Sequence, residues 1–202
     1  MSTIETERLI LRPFGECDAA DVLEYLCNPA PNCFVCMKLD SLDEARAEMV
    51  KRSGDTEYCF AIVLKESGKV IGEIDALPSS YEPPKLSSHE TGAVPGGDAS
   101  DTFSPCWMLN AAYRGKGYAY EAAYAFFDYL FTRKGVRRIY AYTEDYNLRS
   151  RHLCEKLGMR REGLFLEFVS FVRDPDGNPV YENTMQYAIL KNEWMRNRTD
   201  TP

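Results

Sequence analysis

From Ala119 to Leu130 the residues Ala119, Ala122, Ala123, Phe126, Phe127 and Leu130 recur at i, i+3, i+4, i+7, i+8 and i+11, the repeat that lines one face of an α-helix. The strand-like "CWMLN" (Cys106 to Asn110) precedes this run and "RRIYAYT" (Arg137 to Thr143) follows it. A helix with so apolar a face must be packed against a layer, and the neighbouring strands supply one.

The rest of the chain extends that layer. In "RLILRPF" (Arg8 to Phe14), Leu9 and Leu11 share one face and Arg8, Ile10 and Arg12 the other, which predicts a strand. A short helix is expected from Asp18 to about Leu26. Ser41 with Glu44 forms a capping box ahead of a second helix carrying Leu42, Ala45, Met49 and Val50. "YCFAIVLK" and "VIGEIDAL", separated by "ESGK", predict an antiparallel hairpin from Tyr58 to Leu77. "NLRSRHLCEKLG" reads as a helix stopped at Gly158, and two long β-rich runs flank "DPDGNP". Pro78 to Pro105 is rich in Pro, Gly and Ser and has no sustained period, so it is expected to be a long loop or insertion. With no internal repeat and no shift in composition, residues 1–202 read as one domain of mixed α/β or α+β class with a partly antiparallel sheet.

Charge and cysteine content narrow the function. Lys plus Arg number 24 against 31 Asp plus Glu, a formal charge of −7, which opposes binding to nucleic acid and favours a neutral or cationic partner. No apolar run is long enough for a membrane span, and "MSTIETERLI" lacks the plan of a signal peptide, so a cytoplasmic protein is expected. Seven cysteines, an odd count, point to reduced thiols. "CFVC" (Cys33 to Cys36) is half of a zinc-site spacing; with only His89 and His152 elsewhere and no second pair, no metal is expected.

The segment before the helix, "YRGKG" (Tyr113 to Gly117), carries two glycines and two cations. A helix N-terminus offers unpaired N–H groups and a partial positive charge, so it attracts an anion. Gly115 and Gly117 permit close approach or positive φ, and Arg114 and Lys116 add charge. A diphosphate suits such a turn. No G-x-x-x-x-G-K-[ST] string occurs, and Tyr120 stands where a dinucleotide fingerprint needs its third glycine or alanine. Taken alone, the turn reads equally as a glycine-rich lead into a core helix.

Arg114-x-x-Gly117-x-Ala119 directly after "CWMLN", followed by "NLRSRHLCEKLGM", resembles the acetyl-CoA-binding core of the GNAT superfamily of N-acetyltransferases. The opening "TERLILRPF", the helix "N-x-x-S-x-x-x-x-EKLG" and the following "REG" look most like the subgroup typified by ribosomal-protein alanine N-acetyltransferases. The resemblance covers Thr6 to Trp194 and implies a mostly antiparallel, partly splayed sheet of about seven strands flanked by about four helices. It also implies an acetyltransferase using acetyl-CoA as co-substrate and a primary amine as acceptor, either a small molecule or a protein amino terminus. A homodimer is compatible with it, and a catalytically quiet acyl-CoA sensor is the alternative reading.

By that resemblance, backbone N–H groups of Arg114, Gly115, Lys116, Gly117, Tyr118 and Ala119 receive the pyrophosphate. Trp107, Met108 and Leu109 lie on the splayed strand beside the pantetheine, and the Leu109 N–H faces the oxyanion. Asn147 and Ser150 match cofactor-contacting positions; Asn147 also reads as a helix cap and Ser150 as a solvent-facing residue. Many relatives carry a tyrosine acid where this chain has Cys154, so Ser150 comes first as the acid and Cys154 second, with ordered water as a third source. Cys154 reads equally as a small core hydrophobe. Glu73 or Asp75, which share one face of "VIGEIDAL", or Glu90 in the long loop, are candidate bases. The terminal hairpin brings Phe165, Phe168, Phe171, Tyr181 and Tyr187 together with Glu162, Glu167 and Glu182, a mixture suited either to an ammonium group or to the sheet's core face.

Overall fold

The computed structural model describes residues 2–29, 32–79 and 101–199. Eight strands form one sheet in the order β1-β2-β3-β4-β5-β6-β8-β7. They are β1 (Ile4–Glu5), β2 (Leu9–Arg12), β3 (Cys59–Leu64), β4 (Val70–Pro78), β5 (Thr102–Leu109), β6 (Arg138–Glu144), β7 (Arg160–Arg173) and β8 (Pro179–Leu190). Every pairing is antiparallel except β5 with β6. The α-helices are α1 (Ala19–Leu26), α2 (Leu42–Arg52), α3 (Tyr118–Thr132), α4 (Leu148–Lys156) and α5 (Lys191–Thr199). The mixed α/β expectation therefore holds, with one more strand and one more helix than the resemblance implied. The additions are β1, only two residues long, and α5, whose sequence is mostly polar. No described helix is long and apolar enough to cross a membrane.

Strand β3 is buried on both faces and so shows why the sheet is a central layer. Phe60, Ile62 and Leu64 point into one cluster with Phe126, Phe127 and Leu130 of α3, while Ala61 and Val63 point into another with Val22, Leu26 and Met49 of α1 and α2. The apolar stripe of α3 lies as its spacing requires: Ala122, Ala123, Phe126, Phe127, Leu130 and Phe131 are all essentially inaccessible. Each of the larger side chains contributes about 1.5–3 kcal/mol of burial. Trp194 of α5 seals this cluster against Tyr124, Phe127 and Phe131, and its indole donates to Asp128 Oδ1 at 3.2 Å. Ser41 caps α2 as expected, accepting from the Glu44 N–H at 3.2 Å. The second helix departs from expectation on its apolar face, because Leu42 and Val50 are exposed and only Ala45 and Met49 reach the core.

The segment expected as an insertion is partly regular. Thr102 to Pro105 belongs to β5, paired with β4 through Phe103↔Pro78, Ser104↔Leu77 and Pro105↔Ala76. Ser80 to Ser100, with Glu90 and His89, lies outside the described residues.

The feature that positions the site is the short pairing of β5 with β6. These strands match only at Thr102↔Arg138 and Phe103↔Ile139. The β4–β5 register pairs Asn110 with Ile71, whose carbonyl accepts the Asn110 N–H at 2.8 Å, so alternation turns residues 104, 106 and 108 toward β4 and 105, 107 and 109 toward β6. Pro105 is thus the first residue past the pairing that faces β6, and it has no N–H to donate there. The strands part at this point. On the other side of β5, Gly72 lets β4 come close: a Cβ on it would stand 2.3 Å from the Met108 carbonyl oxygen and 3.0 Å from Leu109 Cα. Gly72→Ala is expected to displace the end of β5 and to lower stability by about 1–3 kcal/mol, as overpacking does; chemical denaturation of the two proteins measures this.

Candidate active site

The turn Arg114 to Gly117 links a single 3-10 turn (Ala111–Tyr113) to α3. Gly117 has φ of +85° and Gly115 of +76°, values that strain any residue with a Cβ. Among the described residues there is open space above Gly115, since a Cβ there meets none of their atoms within 4 Å. The first hydrogen bond of α3 runs from the Glu121 N–H to the Gly117 carbonyl at 3.1 Å, so the N–H groups of Tyr118 and Ala119 have no acceptor within the helix.

This helix start is tied to the N-terminal strands. Glu121 accepts from the Thr6 hydroxyl at 2.6 Å, the Arg8 N–H at 2.7 Å and Arg8 Nε at 2.6 Å. Partial burial would raise the Glu121 carboxyl, but these bonds outweigh it and hold the group below its ordinary range. Arg8 also donates to the Lys116 carbonyl at 3.0 Å and stacks on Tyr118, 4.6 Å from the ring centre. The "TERL" segment therefore braces the glycine turn.

Beside the turn a cleft of about 490 Å³ is lined by Ala111, Arg114, Gly115 and Arg149. Arg114 Nε donates to the Leu109 carbonyl at 3.3 Å, and burial, then the nearby Arg149 charge, pushes its pKa down. Neither guanidinium meets a carboxylate among the described residues. Two cations held together without a counter-ion favour an anion between them. Lys116 instead lies over the Tyr113 ring, 5.4 Å from its centre. The second cation of the cleft is Arg149, which sequence reasoning passed over although it stands between Asn147 and Ser150.

The parted strands adjoin this cleft. Of the three β5 residues expected at the cofactor, Met108 is turned toward β4 and its side chain is buried in the α1–α2 cluster; its amide is committed to the sheet. Trp107 and Leu109 direct their N–H groups into the gap. The Trp107 indole N–H donates to Ser150 Oγ at 3.2 Å, leaving the serine O–H free to donate elsewhere. Ser150 is half-buried rather than solvent-facing. Asn147 caps α4, accepting from the Ser150 N–H at 3.3 Å and donating to Glu144 Oε2 at 3.1 Å. Cys154 is wholly enclosed among the core residues, and burial lifts its thiol to about 12. That places it where packing, rather than proton donation to a substrate, is its work.

The other face of the same strands carries carboxylates. Glu73 is buried, with Oε2 accepting from the Tyr25 hydroxyl at 2.9 Å and Arg52 Nη1 at 2.6 Å, while Oε1 has no hydrogen-bond partner among the described residues. Glu73 is thus locked in an ion pair, which weakens its claim as a base. Asp75, two residues on, lies between Cys59 of β3 and Cys106 of β5 in the register. Burial, and then the Glu73 carboxylate, push the Asp75 carboxyl up to about 7, with Arg52 opposing. An acid with that value changes protonation near neutral pH. The aromatic residues of the terminal hairpin divide: Tyr187 is in the core, whereas Phe165, Phe168, Phe171 and Tyr181 are exposed. Among the described residues no group of His, Cys, Asp and Glu has the geometry of a metal site.

Residues 8–160 match the family model described as an acetyltransferase (GNAT) domain. The chain is 30% identical over 191 residues to an uncharacterized N-acetyltransferase, YnaD, of Bacillus subtilis, covering 95% of this chain and 98% of that protein. It is similar in structure to a GNAT-family acetyltransferase from Bacillus anthracis, with TM-score 0.72, 28% identity, and coverage of 95% and 99%. A ribosomal-protein-S5-alanine acetyltransferase from Vibrio fischeri superposes with TM-score 0.65 and coverage of 96% and 99%, but at 16% identity it shares the fold alone. A glycine turn braced at a helix start, a gap between β5 and β6, and this likeness along nearly the whole chain lead to one conclusion: the protein belongs to the GNAT family of acetyltransferases and is an acyltransferase enzyme.

Proposed function

We propose that the protein transfers an acetyl group from acetyl-CoA to a primary amine by direct attack within a ternary complex. The observation that carries this reading is the adjacency of a cation-lined cleft to a gap edged with β5 amides that are unpaired among the described residues. The cleft suits a diphosphate, with Arg114 and Arg149 supplying charge and the amides of Gly115 to Ala119 supplying donors. The gap suits a linear chain with amide groups, which can pair with Trp107 and Leu109 as an added strand would. The residues present therefore fit coenzyme A.

The chemistry needs a base, an oxyanion donor and an acid. In this proposal Asp75 takes the proton from the attacking ammonium, whose nitrogen then forms the bond to the thioester carbonyl carbon. The Leu109 N–H stabilises the oxyanion, and the C–S bond breaks as the Ser150 O–H protonates the leaving thiolate. The Trp107 indole positions Ser150 for that donation by occupying its lone pair. The likeness to ribosomal-protein alanine N-acetyltransferases extends this reading to protein amino termini as one class of acceptor.

Free thiol release from acetyl-CoA in the presence of a panel of primary amines tests the reading; tight cofactor binding with no turnover on any amine would overturn it. Arg114→Ala with Arg149→Ala is expected to weaken coenzyme A at least about tenfold, read as a smaller ligand-induced rise in Tm. Asp75→Asn is expected to lower kcat/KM by roughly 10²–10⁴-fold and to remove the limb of the pH profile that climbs through about 7. Stability should move the other way. The folded Asp75 carboxyl titrates near 7 and an unfolded one near ~4, so the native state holds the proton more tightly and loses stability as pH rises between those values. The asparagine variant should accordingly melt higher than the parent at about pH 8 and lose that advantage below about pH 4.

A further inference from the structure

Beyond Asp75, the same face of the sheet carries a second acidic group. Glu144 ends β6 and Glu182 lies on β8, and they are only 4% and 8% exposed. Alternation on β6 turns Ile139, Ala141 and Thr143 inward, so Tyr140, Tyr142 and Glu144 face the opposite side. Among the described residues Glu182 has only neutral donors, the Asn32 side-chain amide and the Tyr146 hydroxyl, the latter at 3.1 Å. Glu144 has even less, for its Oε2 accepts from Asn147 while its buried Oε1 has no hydrogen-bond partner among the described residues. No Lys or Arg pairs with either carboxylate among the described residues.

The β6–β8 register brings these groups together, for Glu144 lies opposite Thr184 and the Asp145 N–H donates to the Asn183 carbonyl at 3.1 Å. Burial first, and then both Glu144 and Glu182, drive the Cys33 thiol up. Burial and the same two carboxylates drive up the Tyr146 hydroxyl. The pair also adjoins the proposed reaction centre, because Glu144 ends β6, the strand that parts from β5, and is tied through Asn147 to the helix start that carries Ser150. On the same side of β6 as Glu144, the exposed ring of Tyr142 packs with those of Phe165 and Phe168 at 5.0 to 6.2 Å. Two buried carboxylates, one with an unfilled acceptor oxygen, offer a cation both counter-charge and a hydrogen-bond partner. Adjacent aromatic faces favour an alkylammonium over a metal ion.

We infer that Glu144 and Glu182 form a second cation subsite, and that the acceptor is a small aliphatic di- or polyamine. One nitrogen is acetylated beside Asp75 while another ammonium rests on this pair. The inference builds on the acetyl-transfer reading above, and an amine with two or more cationic nitrogens on one alkyl chain matches the two acidic positions, Asp75 and the Glu144–Glu182 pair, on one face of the sheet.

Calorimetry on the coenzyme A-saturated protein tests it without turnover, using 1,4-diaminobutane, spermidine and n-butylamine as probes. The two polycations should bind at least about tenfold more tightly than the monoamine, the factor expected of one shielded charge pair. Glu144→Gln with Glu182→Gln should reduce that preference to less than about twofold. Equal binding of all three amines by the parent protein would overturn the subsite, whether or not the variant folds; so would an undiminished preference in a folded variant. Tighter binding of an Ala-Lys peptide than of spermidine would overturn the small-molecule assignment. Thiol release measured separately keeps the two ideas apart: no transfer to any amine defeats the proposed reaction, while the binding comparison still decides the subsite.

Discussion

A parallel pair of strands that stops hydrogen-bonding after two residues leaves a row of backbone groups that must find partners elsewhere. In this protein that early parting of β5 from β6 organises everything nearby. Pro105 removes the donor that would have continued the pairing, and Gly72 keeps β5 in close register with β4 as it diverges from β6. The amides of Trp107 and Leu109, unpaired among the described residues, follow from the parity of the strand. The carboxylates of Glu73 and Asp75 face away from α3 by the same alternation on β4. One strand thus separates a side rich in amides and guanidinium groups from a side rich in carboxylates.

That division explains how a chain with formal charge −7 presents a cationic cleft at all. The sum over the sequence describes long-range steering, whereas the cleft depends on two arginines that the fold holds together. Arg114 reaches its place through the Leu109 carbonyl, and Arg149 rides on the first turn of α4. The brace from Thr6 and Arg8 to Glu121 fixes the helix start against the N-terminal strands. The geometry of the glycine turn is therefore set by contacts across more than a hundred positions in sequence.

Local patterns told most of the fold. The period of α3, the Ser41 cap and the β3–β4 hairpin are all short-range signals, and each appears where its residues predicted. Elements stabilised mainly by neighbours were harder to read. Strand β1 has two residues and exists because β2 pairs with it, α5 has a polar sequence organised around one Trp194, and Thr102 to Pro105 gains its strand only by lying between β4 and β6. The site divides in the same way. The glycine turn and the Asn147–Ser150 spacing were legible, but the Arg52 lock on Glu73, the pairing of Arg149 with Arg114 and the meeting of Glu144 with Glu182 depend on tertiary approach.

The contact between Trp107 and Ser150 has an optical consequence. The chain contains two tryptophans, and they sit in opposite surroundings: Trp194 is sealed in the core, while Trp107 is half-buried at the edge of the gap with its N–H on a hydroxyl. Emission from the sealed indole forms a constant background, so any change in wavelength or intensity on filling the gap arises from the other. The enzyme carries a built-in fluorophore at the edge of the gap between β5 and β6.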